Sequence, residues 1–148
     1  MTAADGDIGG FEDERLELAA IYARLAGSKA GRIVAFIDAC FSGRIAPDKL
    51  IFEGVAPLMV VSESGVPDSK RMTVLVAGRG SQFSNQYREK GHRLFSYFLI
   101  DGLLTGRMDV KALSEHVRSG VEKESRRLGT VYTQEPQLYG NPAVRLNK

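Results

Sequence analysis

The stretch Ile33-Val-Ala-Phe-Ile-Asp-Ala-Cys-Phe-Ser-Gly43 is the most informative part of this 148-residue sequence. Its first five residues form a continuous apolar run of strand length, which is typical of a strand covered on both faces, as in a parallel sheet. Open α/β sheets place their functional sites at the carboxyl ends of such strands. We therefore expect functional residues in the polar turn that begins at Asp38 and contains Cys40.

Apolar spacing on both sides of this run predicts the other main elements. Residues 11–27 have the spacing of a helix, and residues 72–77 form a second apolar run that predicts a buried strand. Two more helices follow, the second of them capped by Asp109. The residues that we expect on the inner faces of the three helices are Leu18, Ile21, Tyr22 and Leu25; Phe95, Phe98, Leu99 and Leu103; and Val110, Leu113, Val117 and Val121.

Two further segments complete the pattern. Residues 41–71 lack periodicity, which predicts a long connection with one short strand at 58–61, and residues 143–146 predict a final short strand. The order is helix, strand, long connection, strand, helix, helix, strand. This order predicts an α/β domain with a mostly parallel sheet, although the number of strands is small for a complete doubly wound domain.

The composition excludes several classes of partner. The formal net charge is +2, from 20 basic and 18 acidic residues, so we expect neither a nucleic acid nor a membrane surface as partner. The sequence has no apolar run of about 18 residues and no start typical of a signal peptide. A single cysteine fits a reducing compartment, which predicts a cytoplasmic protein.

The residues around Cys40 leave two interpretations open. A cysteine that follows a buried strand can expose its sulfur near backbone N–H groups, which stabilise a thiolate or an oxyanion. Most free cysteines are instead buried and unreactive. A Cys-x5-Arg phosphatase loop is excluded because position 46 is Ala46. With one cysteine, no dinucleotide-binding glycine motif and no phosphate-binding loop, we expect no metal and no cofactor.

Four segments resemble one family in the same order. The segment 38–43, Asp-Ala-Cys-Phe-Ser-Gly, is similar to the nucleophile segment of caspase-like cysteine peptidases, especially bacterial metacaspase-type enzymes. Residues 73–82 resemble the family's next strand and the substrate-facing loop after it. Residues 90–99 resemble the start of its following helix, and residues 134–140 its short Gln/Pro segment.

The resemblance implies a caspase-like three-layer sandwich with a mostly parallel sheet. The family builds this sheet from six strands, and the present sequence would carry the last three, so that the first strands are missing from this chain. Residues 1–148 would then be the C-terminal portion of a single peptidase domain. Its parts would be a loop at 1–11, a helix and the nucleophile strand at 12–40, a connection of the intersubunit type at 41–71, and a part resembling the small subunit at 72–148.

The resemblance also implies residue roles. Cys40 would attack the scissile carbonyl of a protein or peptide substrate and form an acyl-enzyme. Asp38 would line the pocket for the residue before the cut and favour Arg or Lys there, although a carboxylate that caps local turn amides is the alternative. Gly78, Arg79 and Ser81 would flank the same pocket, where Arg79 could oppose Asp38.

The general base is the missing part of this catalytic set. The family places a histidine roughly 50 residues before the cysteine, whereas only 39 residues precede Cys40 and none is histidine. We expect His92 and His116 to be surface or helix-packing residues. The sequence thus predicts a cysteine endopeptidase that needs the missing N-terminal half of its domain as partner and is inactive alone. The alternatives are a non-catalytic caspase-fold interaction module and a plain α/β binding domain with a buried cysteine.

Overall fold

The computed structural model describes residues 18–38, 55–57, 70–79 and 82–146. They form a mixed α/β structure, as predicted. Two short 3₁₀ turns, Arg88–Lys90 and Thr130–Tyr132, complete the elements. In chain order the helices and strands are α1 (Leu18–Ala26), β1 (Ile33–Ile37), β2 (Val55–Pro57), β3 (Met72–Val76), β4 (Phe83–Tyr87), β5 (His92–Arg93), α2 (Leu94–Leu104), α3 (Val110–Arg127) and β6 (Gln137–Gly140).

The main sheet has the strand order β1-β3-β6. Strands β1 and β3 are parallel, with Ile33 opposite Met72 and Ile37 opposite Val76. Strand β6 runs antiparallel to β3. The described part of the sheet is therefore mixed, and the expected mostly parallel sheet is not observed there.

The predicted final strand at 143–146 is wrong. The strand that pairs with β3 is β6, which comes before this segment. The backbone groups of 143–146 instead bond the start of α3: the N–H of Val110 donates to Val144 O at 2.9 Å, and the N–H of Leu146 donates to Met108 O at 2.8 Å. With its hydrogen bonds used in this way, the segment contributes only an isolated bridge to Asp109.

Strand β3 is the buried strand that an apolar run predicts, and all five of its residues are buried. In β1 only Ile33 is buried, and the other four residues are half-buried. The difference follows from position, because β3 lies between two strands whereas β1 has one neighbour in the described part of the chain.

Helices cover both faces of this sheet. On one face Tyr22 of α1 packs with Met72, Val74 and Val76. Ile21 was expected on the inner face as well but is exposed. The predicted helix at 11–27 is described from Leu18 to Ala26, and the predicted strand at 58–61 lies outside the described residues.

Helices α2 and α3 pack together on the opposite face, against Leu75 and Ala77. The prediction for α3 is confirmed: Asp109 Oδ1 accepts a hydrogen bond from the N–H of Ala112 at 2.9 Å. The predicted apolar face of α3 is completely buried; it consists of Val110, Leu113, Val117 and Val121. In α2, Phe95 is buried, and three other residues of the predicted face are half-buried against the same cluster: Phe98, Leu99 and Leu103. No helix among the described residues is long and apolar enough to cross a membrane.

Replacing Gly140 by alanine should destabilise the protein by about 2–4 kcal/mol. Gly140 has a φ of 85°, and a Cβ there would lie 2.1 Å from Met72 O, so both the backbone conformation and the contact with β3 exclude a side chain. Urea unfolding curves would measure the change. Gly31→Ala is the matched control, since its Cβ would meet nothing within 4 Å; equal midpoints for the two variants would contradict the observed approach of β6 to β3.

Tyr22 should make the protein lose stability at high pH. Its side chain is 2% exposed, and its hydroxyl has no hydrogen-bond partner in the described part of the chain. Burial, with a smaller contribution from Tyr139, raises the pKa of Tyr22 from 10.0 to about 12. The unfolded chain therefore releases this proton first, and stability falls as the pH rises from about 10 to about 12.

The Tyr22→Phe variant isolates this effect. The difference in unfolding free energy between Tyr22→Phe and wild type should be constant below about pH 9 and should grow in favour of the variant above about pH 10. Urea midpoints of both proteins across this range measure it. Parallel pH profiles would show that Tyr22 titrates normally in the folded protein.

Candidate functional site

The carboxylate of Asp38 is held at the carboxyl end of β1 by two hydroxyl groups. Ser84 Oγ donates to Asp38 Oδ1 at 2.8 Å, and Ser96 Oγ donates to Asp38 Oδ2 at 2.6 Å. Asp38 and Ser96 are half-buried, and Ser84 is completely buried. An ionised carboxylate offers about four acceptor positions, so this arrangement orients the group and leaves capacity for another donor.

Three elements fix this geometry. The end of β1 is joined to the end of β3, because the N–H of Ala77 donates to Ile37 O at 3.0 Å. Ser84 lies on β4, and its carbonyl accepts a hydrogen bond from Arg93 Nη1 at 2.7 Å. Ser96 lies in the first turn of α2. The carboxylate is therefore positioned by the strand that precedes the cysteine and by two later parts of the chain.

The loop after β3 contains two of the predicted pocket residues. Gly78 is buried, and Arg79 is exposed at the surface. Arg79 Nη2 lies 2.9 Å from Glu135 Oε2, and the Arg79 side chain is 64% exposed. The carboxylate that pairs with Arg79 in the described structure is thus Glu135, whereas Asp38 has the two serine hydroxyls.

Gln82 ties this loop to the segment after α3. Its side-chain Oε1 accepts hydrogen bonds from the backbone N–H groups of Arg79 and Glu135, both at 2.9 Å. The second of these bonds and the Arg79–Glu135 pair both join the loop to the Gln/Pro segment. These contacts therefore fix the loop to that segment at two points.

A second connection between these segments is the fully buried Gln134. Its Nε2 donates to Ala77 O at 2.9 Å, and its Oε1 accepts from the backbone N–H of Asn85 at 2.9 Å and from Asn85 Nδ2 at 3.0 Å. Asn85 Nδ2 also donates to Tyr132 O at 2.7 Å. Strand β4 is thus bound at Ser84 to Asp38 and at the next residue to Gln134.

The four segments that carry the family resemblance contact one another in two pairs. Asp38, from the first segment, contacts Ser96, from the third. Ala77, from the second, contacts Gln134, from the fourth. Two of the predicted site residues, Cys40 and Ser81, lie outside the described residues. The carboxylate of Asp38, two positions before Cys40, belongs to the first of these pairs.

The two histidines have other surroundings. His116 Nε2 lies 2.8 Å from Asp101 Oδ2, which joins α3 to α2. The imidazole ring also packs edge-on against Phe98, with 6.2 Å between ring centroids. His92 is exposed in β5. Among the described residues no group of three His, Cys, Asp or Glu side chains could hold a metal ion.

A cavity of about 610 Å³ lies next to this group of contacts, between β4 and the end of α3. Its lining includes Asn85, Tyr87, Leu94, Glu124 and Tyr132. Asp38, Gly78 and Arg79 do not line it. Asn85 contributes to the cavity wall and to the Gln134 connection, so the cavity and the candidate site share strand β4.

Sequence reasoning missed Ser84, Ser96, Asn85 and the role of Gln134. The stretch Phe-Ser-Asn-Gln-Tyr of β4 has no regular apolar alternation, so periodicity gave no strand there. Ser96 and Gln134 lie inside segments that resemble the family, but the resemblance assigned them no contact. Their spacing from Asp38 along the chain carried no signal of proximity.

No family model, no curated protein and no solved structure matches this chain. The resemblance to caspase-like peptidases therefore rests on the four sequence segments alone.

Gln134→Leu should destabilise the protein by about 2–4 kcal/mol, because it leaves the buried Ala77 carbonyl and the Asn85 N–H without their partners. Denaturant unfolding measures this change. Gln86→Leu, which replaces an exposed residue of β4, is the matched control and should change stability by less than about 0.5 kcal/mol. Similar small effects for both variants would show that the buried amide does not hold these segments together.

Proposed function

We propose that this chain is the nucleophile-bearing part of a cysteine endopeptidase of the caspase-like kind. In this proposal Cys40 attacks the peptide carbonyl and becomes acylated, and Asp38 binds an Arg or Lys side chain immediately before the cut. The observation that carries the proposal is the Asp38 carboxylate, which two serine hydroxyls orient two residues before the cysteine. This placement agrees with the carboxyl-end position at which α/β sheets hold their sites.

The chemistry of Asp38 supports a basic residue before the cut. Its carboxylate receives neutral hydroxyl donors rather than a cation from the described residues, so its negative charge is available to a ligand. A guanidinium or ammonium group can add a charge-assisted hydrogen bond to such a carboxylate. Arg79, the cation that could have opposed it, pairs with Glu135.

The general base of this proposal lies outside residues 1–148. A thiol nucleophile needs an adjacent base to form the thiolate. His116 is engaged by Asp101 between two helices, and His92 is exposed in a short strand, and neither belongs to the contacts around Asp38. We therefore propose that the partner segment that completes the domain supplies the histidine.

Residues 1–148 alone should hydrolyse no peptide faster than their Cys40→Ala variant does, because loss of the base costs a cysteine or serine peptidase orders of magnitude in rate. With the histidine-bearing segment supplied, fluorogenic Arg and Lys substrates should be cleaved and Cys40→Ala should abolish the activity.

In the completed protein, Asp38→Asn should lower kcat/KM for Arg substrates by about 10- to 100-fold, the loss expected for one charge-assisted hydrogen bond.

Matched substrates control this experiment. Substrates with Asp or norleucine before the cut should change little between wild type and Asp38→Asn. Equal losses for all substrates would assign Asp38 a structural role. A completed protein that binds extended peptides and cleaves none would instead favour the non-catalytic interaction module.

A further inference from the structure

We propose that the end of α1 and the amino ends of β1 and β3 form a surface that binds anionic lipid bilayers. Strands β1 and β3 run parallel, so their amino ends lie at the same edge of the sheet. Asp38 follows the carboxyl end of β1, at the opposite edge. The proposal goes beyond the peptidase function and does not depend on it.

Four exposed cations lie around one junction of the chain, and we call them the basic edge: Arg24, Lys29, Arg32 and Lys70. Arg71 Nη2 donates to Ala26 O at 2.6 Å and to Ser28 O at 3.4 Å, which joins the start of β3 to the end of α1. The N–H of Ile33 donates to Arg71 O at 2.8 Å, which joins the start of β1 to the same residue. Each cation of the basic edge is one or two positions along the chain from a residue of this junction.

The charges of the basic edge are not offset by neighbouring carboxylates of the same elements. Residues 18–37 and 70–79 contain no acidic side chain. Within the described ranges no ion pair involves the basic edge, whereas Arg79, Arg126 and Arg127 pair with carboxylates. The net charge of +2 is a sum over the whole chain and therefore conceals this local excess of positive charge. Each Lys or Arg near an anionic bilayer strengthens binding about fivefold.

An exposed apolar side chain beside these cations favours a bilayer over a soluble polyanion. Ile21 is 40% exposed, and Arg24 follows it by one turn of α1. The helix is held to the sheet through Tyr22, which packs in the apolar cluster beneath it. A helix that presents apolar and basic side chains outward is suited to the membrane interface, where the apolar group enters the acyl boundary. A nucleic acid or an acidic peptide chain would give Ile21 no comparable contact.

The turn between α1 and β1 allows the cations to reach a flat surface. The other residues of this turn are small and exposed: Gly27, Ser28, Ala30 and Gly31. Lys and Arg carry their charges on long stems, so their charged groups extend beyond such neighbours. The five residues of β1 span roughly 17 Å. A protein bound through the basic edge would therefore keep the candidate site away from the lipid and open to solution.

Sedimentation of residues 1–148 with lipid vesicles tests this proposal. The protein should bind vesicles of phosphatidylcholine mixed with phosphatidylserine and should not bind phosphatidylcholine vesicles, and added salt should release it. Alanine at three positions of the basic edge, Lys29→Ala, Arg32→Ala and Lys70→Ala together, should lower the partition coefficient about 100-fold, since each lost cation costs about fivefold.

A second triple variant is the matched control. Lys111→Ala, Lys123→Ala and Arg126→Ala together remove the same three charges from exposed positions of α3. Because interactions between distant exposed charges are screened, this variant should change the partition coefficient by less than about threefold.

An introduced tryptophan reports the apolar contact, because the sequence has no tryptophan of its own. The fluorescence of Ile21→Trp should shift to shorter wavelengths when phosphatidylserine-containing vesicles are added, since the indole leaves water. Ile100→Trp is the matched control: Ile100 is 43% exposed on α2, and its emission should stay unchanged.

Equal losses in the two triple variants, equal binding to both kinds of vesicle, or no binding to either would overturn the proposal. Unchanged emission of Ile21→Trp would overturn it as well. If the basic-edge variant fails to fold, as far-UV circular dichroism would show, Arg32→Ala alone decides, with an expected loss of about fivefold. Titrations with duplex DNA and with polyglutamate complete the test. Binding of either polymer that Arg32→Ala weakens, without binding to vesicles, would assign the basic edge to that polymer and reject the bilayer.

Discussion

The rest of the described structure depends on the burial of β3. Every residue of this strand is buried, and it hydrogen-bonds to β1 on one side and to β6 on the other. Its alternate side chains separate two apolar clusters, one beneath α1 and the other beneath α2 and α3. Removing water from these apolar surfaces is the main driving force that holds the three layers together. The candidate site lies at the end of this strand because β1 and β3 finish together there.

At the ends of the apolar strands, hydrogen bonds between polar side chains replace apolar packing. Asp38, Ser84 and Ser96 form one group, and Gln134 and Asn85 form another. Buried polar groups of this kind are stable only when they are paired with good geometry. The two groups are adjacent along β4, so the strand connects the carboxylate to the segment after α3. This arrangement gives the proposed recognition site fixed walls on several sides.

The sequence predicts the apolar parts of this fold better than the polar parts. The helix α3, its Asp109 cap and the strand β3 follow from periodicity, since burial of one face imposes a repeat on the residues. Strand β4 has no such repeat because its buried residues are serine and asparagine, which are typical of loops. The segment after Asn141 has the sequence pattern of a strand, yet its backbone hydrogen bonds go to the start of α3. A local sequence pattern does not identify a hydrogen-bond partner that is distant along the chain. The same reason explains the site: Asp38 could be singled out from its motif, but its partners are 46 and 58 positions away.

The neighbouring polar residues of β4 also bear on how this protein can change during evolution. A one-residue slip of the strand would replace Ser84 at the carboxylate by Asn85 in one direction and by Phe83 in the other, so these contacts fix the register. Substitutions at Ser84 and Asn85 are therefore constrained by hydrogen bonding, although a hydropathy profile would class both positions as surface. Divergent sequences that share this arrangement should keep hydroxyl and amide groups here while their apolar residues exchange freely for one another. A comparison weighted toward apolar positions would then overlook kinship that the polar pairs preserve.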